Sequence, residues 1–194
     1  MKANITSNKP IKSSFLSYEK DIEEILKQLF INNQPHSDIL KKLLVINTKD
    51  CLDNTTSEVI KDTIENTNLI TLKRDGYIRL EPRLNMIGHQ EIKAYIIISI
   101  DNFTTNGTNP YYRDCMVNFD IVCHTDYWDL GNYRIRPLKI VGYIDGILNN
   151  AKLSGIGTFN FLGCSQLILN EDLAGYTLSY MAVHGNDDVI PPGE

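Results

Sequence analysis

Three small groups of residues in this chain are of types that could do chemistry. The first is His124-x-Asp126. Asp120 falls on the same strand face as His124, because both occupy even positions of an alternating run, and an imidazole beside carboxylates is half of a metal site. A third ligand is still required at the right distance. His184, with Asp187 and Asp188, supplies one only if the last strand pairs nearby. Otherwise all of these are solvent-facing polar residues. The second is Cys164 behind Gly163, which could act as a nucleophile on a turn. That use needs a positioned histidine and a lowered thiol pKa, whereas Leu162 and Leu167–Leu169 suggest a strand core. The third is Gly155-Ile156-Gly157, with no strand before it or helix after it, which reads as turn chemistry rather than a dinucleotide fingerprint. The sequence therefore assigns no catalytic residue, no cofactor and no metal.

Binding is the better-supported use of the unusual side chains. Tyr111, Tyr112, Tyr127 and Trp128 lie near Arg113, Arg134 and Arg136, and aromatics with arginine are enriched at binding hot spots. The alternative is that the aromatics close the end of a sheet. Gly142 and Gly146 sit one turn apart on a predicted helix. Each weakens it by roughly 1 kcal/mol, and together they would let another backbone approach closely. The polar loop 104–110, TTNGTNP, is a further candidate contact.

Bulk properties narrow the field. The chain has 194 residues, 22% of them charged and 42% hydrophobic, which is ordinary for a globular protein. A net charge of −5 without a basic stripe argues against a general nucleic-acid binder. Ala94–Ile100 is too short to cross a membrane. The first residues lack a signal-peptide core, which predicts synthesis and assembly in a cytoplasm. The four cysteines, Cys51, Cys115, Cys123 and Cys164, form no CxxC pair and read as buried thiols. Asn-x-Thr triplets at Asn4, Asn54, Asn102 and Asn106 are expected by chance in so Asn- and Thr-rich a chain.

The elements that must position these residues follow from periodicity. Residues 1–14 read as a flexible arm. In 15–65, a helical segment, Ile22, Ile25, Leu26 and Leu29 recur at helical spacing. A second helix from Ser37 or Asp38 buries Leu40, Leu43 and Leu44, and Thr55-x-x-Glu58 has capping-box spacing for a third. Residues 66–185 form the core, and 186–194 an extended acidic tail. Within the core, Arg74-Asp75-Gly76 between Asn68–Lys73 and Tyr77–Glu81 predicts a hairpin. Ile92–Phe103 is a strand buried on both faces. Tyr111–Thr125 alternates, with Cys115, Val117, Phe119, Ile121 and Cys123 inward and the even positions towards water. Pro137 opens a helix lined by Leu138, Val141, Ile144 and Leu148, which stops at Asn149-Asn150. Residues 157–169 and 175–184 close the fold as two strands. The class is α+β, an antiparallel or mixed sheet packed by a central helix, with N-terminal helices.

That order, with the wording YYRDCMVNFDIVCHTDYWDLGNYRIRPLKIVGYIDGILNN and GIGTFNFLGCSQLILNEDLAGYTLSYMAVH, resembles the tail terminator proteins of long-tailed bacteriophages and related neck and tail-completion proteins. The resemblance covers roughly the last hundred residues and rests on patterns of apolarity and turns. It implies a homo-oligomeric ring, commonly a hexamer, at the head-proximal end of a tail. The ring would stop polymerisation of the tail tube protein and join the head connector or neck proteins, as part of the virion. Viral DNA would pass the lumen without specific binding. The 15–65 segment is longer than a minimal member needs. Rival readings are a head–tail adaptor or tube subunit and, from another class, a small hydrolase using Cys164 or a metal held by His124 with Asp120 and Asp126.

Overall fold

The computed structural model describes residues 15, 18–31, 34–53, 58–80, 94–108 and 112–185. Its first helix, α1 (Tyr18–Leu29), buries Ile22, Ile25, Leu26 and Leu29, the stripe its spacing predicts. Helix α2 (Pro35–Val45) buries Leu40, Leu43 and Leu44 and starts two residues ahead of Ser37, because a first helical turn does not need the amide that proline lacks. Helix α3 (Glu58–Asn66) turns Ile60 and Ile64 inward. The Thr55 cap proposed for it lies outside the described residues.

The predicted hairpin around Asp75-Gly76 is corrected. Residues Leu69–Arg74 are a helix, α4, opened by Asn68. Asn68 Oδ1 accepts from the Thr71 amide at 2.9 Å, and Thr71 Oγ1 accepts from the Asn68 amide at 3.2 Å. These reciprocal bonds satisfy two donors that a helix start leaves open. Gly76, at φ +77°, ends the helix. The Tyr77 amide donates to Leu72 O and the Gly76 amide to Lys73 O, the paired bonds of a Schellman motif. Asp-Gly supplies a left-handed residue to a hairpin and to a helix terminus alike, so the dipeptide does not choose between them.

After α4 comes β1 (Ile78–Arg79), parallel to β2 (Ala94–Thr105). Strands β3 (Arg113–His124), β6 (Asn160–Ile168) and β7 (Leu173–His184) complete a mixed five-stranded sheet in the order β1-β2-β3-β7-β6. A small separate hairpin, β4 (Lys152–Leu153) with β5 (Gly157–Thr158), docks on the end of β7, whose Val183 amide donates to Ile156 O at 3.1 Å. Strand β2 runs two residues into the predicted loop 104–110. It does so by shifting register between Asp101 and Thr104, where Asn102 takes φ +52°, as at a bulge. The class is α+β, as expected.

On β3 the odd positions Cys115, Val117, Phe119, Ile121 and Cys123 are all buried. The even face is not simply open to water: Val122 and Asn118 are buried too. Asn118 donates to Asp101 Oδ2 at 3.1 Å and accepts from Ser179 Oγ at 2.6 Å, while Thr177 Oγ1 donates to Asp120 Oδ1 at 2.6 Å. These cross-strand bonds tie β2, β3 and β7 together on a polar face. The opposite face carries α5 (Arg136–Leu148). This helix buries Pro137, Ile140, Ile144 and Leu148, and Leu138 is exposed. The predicted stripe is displaced only at Leu138, in whose place Ile140 is buried, while Val141 is half-buried against the core. Both stripes share Ile144 and Leu148, so spacing alone could not separate them. Helices α1 and α2 join the same hydrophobic core as the sheet and α5.

Candidate assembly interface

The approach to α5 is built from polar bonds. After β3, a 3-10 turn (Thr125–Tyr127) leads into Trp128, whose indole donates to Cys123 O at 3.3 Å. The chain then pinches shut. Asp129 Oδ1 accepts from the Gly131 amide at 2.8 Å, Leu130 N donates to Arg134 O, and Arg134 N donates to Gly131 O. Closing so tight a turn places Gly131, Asn132 and Tyr133 at φ +70°, +49° and +62°. Glycine takes this conformation freely and asparagine tolerates it, but for a bulky aromatic it is strained. Tyr133 is also fully exposed.

Arg136 anchors this loop from inside. It is 1% exposed. Its guanidinium donates to Tyr127 O at 2.9 Å, Leu43 O at 2.7 Å, Ile46 O at 2.9 Å and Thr48 O at 2.8 Å. Three of these carbonyls lie at and just past the end of α2, where the helix dipole is negative and carbonyls lack partners. The fork of donors fits them without a carboxylate. The same guanidinium opposes burial at the Cys51 thiol, but burial wins and the thiol is pushed up. Two outer ties run in parallel. Arg134 grips both carboxylate oxygens of Asp53, holding that carboxyl below its usual range. Lys49 meets Asp129 at 3.0 Å. The Asp129 carboxyl is depressed first by the Gly131 amide and then by Lys49.

So positioned, the loop and the outer flank of α5 form a groove of about 460 Å³ lined by Tyr133, Arg134, Ile135, Leu138, Lys139, Gly142 and Tyr143. Its apolar members Tyr133, Ile135 and Leu138 are exposed. A Cβ added at Gly142 or Gly146 would meet nothing within 4 Å. Neither glycine is needed for packing inside the subunit, so the bare helix flank is available to a second surface.

The residues singled out from sequence do not all gather here. Arg134 and Gly142 do, whereas Gly146 lies one turn further along α5 and does not line the groove. Arg136 supports the groove from within and is not presented on it. Trp128 is half-buried against Tyr176, with ring centroids 6.3 Å apart, and Tyr127 packs on His124. Tyr112 and Arg113 lie at the far end of β3, roughly 37 Å away for a strand of this length, with the Tyr112 ring over the Gly185 backbone. Tyr111 is outside the described residues. Tyr133, Ile135, Leu138, Lys139 and Tyr143 were not singled out from sequence. The Gly131-Asn132 pair, a turn signal just ahead of an aromatic, was the available hint.

The two chemical readings lose their geometry. His124 pairs with Leu173, whereas His184 pairs with Arg113 at the other end of the sheet, so these histidines cannot share an ion. His184 is fully buried, not solvent-facing, and its Nδ1 contacts the buried Asp21 carboxylate of α1. Asp187 and Asp188 are outside the described residues, and among those described no three His, Cys, Asp or Glu are grouped to hold a metal. Cys164 is exposed on an edge strand and not in a strand core. Partial burial and the Asp145 carboxylate push its thiol up, the opposite of what a nucleophile needs.

Comparison with known proteins adds the following. The model of the YomW family matches residues 37–182. No curated protein matches. A chain of the solved "Virion of native gene transfer agent (GTA) particle" is similar at 13% identity. The likeness covers 62% of this chain and 88% of that one, with a TM-score of 0.40.

Proposed function

Because this chain belongs to the YomW family, a phage-derived family, we propose that it is a structural protein of a phage-type particle that works by self-association and not by transforming a substrate. In this reading copies close into a ring, of six subunits if it follows the tail terminators it resembles. The ring sits at the head-proximal end of a tail, ends growth of the tube, and meets the head connector or neck proteins on its other side. Ring closure requires two different patches on each subunit. The observation that carries the reading is the bare flank of α5. There exposed Tyr133, Ile135 and Leu138 stand beside Gly142, with Gly146 one turn further on, and a Cβ at either glycine would meet nothing within 4 Å. A net charge of −5 suits a lumen that lets DNA pass without holding its phosphates.

Native mass measurement and negative-stain imaging of the purified chain test this. Rings or stacked rings are expected, alone or on tail tubes. Open filaments would instead mark a tube subunit, and a monodisperse monomer at high concentration that ignores tail tubes would overturn the proposal.

A further inference from the structure

The sheet ends in an edge strand that ordinary design against aggregation would not leave open. Among the described residues β6 pairs only with β7 and is the edge of the sheet over Asn160–Ile168. Exposed edges are normally blunted with lysine, proline, bulges or inward charge; β6 has one register shift, between Phe161 and Gly163, and pairs regularly with β7 from Gly163 to Ile168. Residues 159–170, FNFLGCSQLILN, carry neither charge nor proline in a chain that is 22% charged. Phe161 and Leu162 are half-exposed and Ile168 is 68% exposed, with Leu169 and the neighbouring Met181 exposed too.

The register shows which surface this is. Phe161, Cys164, Gln166 and Ile168 stand opposite Tyr180, Leu178, Tyr176 and Ala174. They share the face on which α5 sits, since Tyr180 Oη donates to Asp145 of that helix at 2.7 Å. The helix covers β7 and leaves β6 bare.

We propose that β6 is a self-pairing edge: it adds antiparallel to β6 of a second copy, joining two sheets into one. The strand itself selects that occupant. Its apolar residues lie at both ends, Phe161-Leu162 and Leu167-Ile168-Leu169, around a small centre of Gly163, Cys164 and Ser165. Reversed in direction, the apolar ends of one copy meet the apolar ends of the other, as an isologous contact requires. The absence of charge matters for the same reason. Like charges directly opposite are destabilising, and an uncharged strand avoids that in a chain of net charge −5. The exposed apolar side chains amount to on the order of 500 Å², more than half of the ~800 Å² that one partner gives a standard interface, and paired backbone adds the rest. This contact is separate from the head-to-tail contacts of a ring and does not depend on the ring reading.

The test uses the full chain. Sedimentation equilibrium is run over a wide concentration range on wild type, Ile168→Lys and Phe161→Lys, with thermal melts as a check on folding. Ile168 is largely exposed in the single subunit, so Ile168→Lys should fold normally; Phe161 is half-exposed with its ring edge-on to Tyr180, and the melt shows whether Phe161→Lys keeps the fold. A short bismaleimide should join wild-type chains through Cys164, the other three thiols being buried, and should fail on Cys164→Ser. Pairing predicts at least a tenfold weaker association in either lysine variant, with the mass falling to the monomer or to half the wild-type assembly, and loss of the cross-link. A wild-type monomer at every concentration overturns the proposal. So does an assembly unchanged by both lysines, or one whose Cys164 thiols never link; either leaves the ring reading standing.

Discussion

Replacing Gly142 and Gly146 separates what α5 does inside the subunit from what it does outside. Neither residue has the positive φ that only glycine adopts freely, and neither has an atom within 4 Å of where a Cβ would go. Alanine should therefore be accommodated without strain. Glycine in a helix interior costs about 0.8–1 kcal/mol relative to alanine, part of it through the freedom of the unfolded chain. Gly142→Ala with Gly146→Ala should stabilise the isolated subunit by roughly 1.5–2 kcal/mol. For a chain of this size that raises Tm by about 3–8 °C. The melt must be recorded dilute, because association by itself raises apparent stability.

Gly142→Leu then asks the second question. Leucine also favours the helix, so the subunit should remain at least as stable as wild type. Its side chain, however, fills the groove beside Ile135 and Leu138. If that flank packs against a neighbour, assembly followed by native mass spectrometry should weaken at least tenfold while Tm is held or raised. A double alanine variant that melts no higher would refute the claim that the glycines are dispensable to the subunit. Unchanged assembly of Gly142→Leu would remove α5 from the interface.

Three further outcomes follow. Arg136→Met leaves four buried or half-buried carbonyls without their donor and should cost about 3–5 kcal/mol in urea unfolding, with Arg136→Lys recovering only part, since one ammonium cannot span all four. Asp21→Ala takes the carboxylate from buried His184 and should cost about 2–4 kcal/mol by the same measurement, while Asp21→Leu with His184→Phe should recover much of it. Burial pushes the Cys115 and Cys123 thiols up to about 12; above pH ~9 the unfolded chain loses these protons and the folded chain keeps them, so stability should fall by about 1.4 kcal/mol per pH unit per thiol until pH ~12, and flat alkaline stability in a pH series of urea midpoints would contradict the burial.

What was legible in the sequence was periodic. The stripes of α1 and α2 and the alternation of β3 each repeat one burial pattern over three or more positions, and such repetition survives tertiary packing. What was illegible depended on a single residue or on a partner distant in the chain. Asp75-Gly76 offers the same left-handed residue to a hairpin and to a helix end, and Asn68 with Thr71 decided the matter. Arg136 reads as a surface cation because its acceptors are backbone carbonyls, which no letter records. His184 finds Asp21 across nearly the whole chain. Cys164 sits among leucines, which suggested a core, yet among the described residues that strand is a sheet edge, with Cys164 and Leu162 exposed.

The N-terminal helices gain a definite role from the same bonds. A buried guanidinium is tolerated here only because the end of α2 supplies carbonyls that would otherwise lack donors, so the helix end and the cation each satisfy the other. Arg136 is also the first residue of α5, and its own amide donates to Trp128 O at 2.7 Å. It thereby fixes the start of α5 against both α2 and the loop that lifts Tyr133 into solvent. Arg134 with Asp53 and Lys49 with Asp129 brace the same junction at the surface, where exposed pairs add little energy but restrict the loop's position. The groove on α5 is therefore held in shape by residues 43–53 as much as by the sheet beneath it. The segment that follows α2 is in this chain the support of the surface on which assembly is proposed to occur.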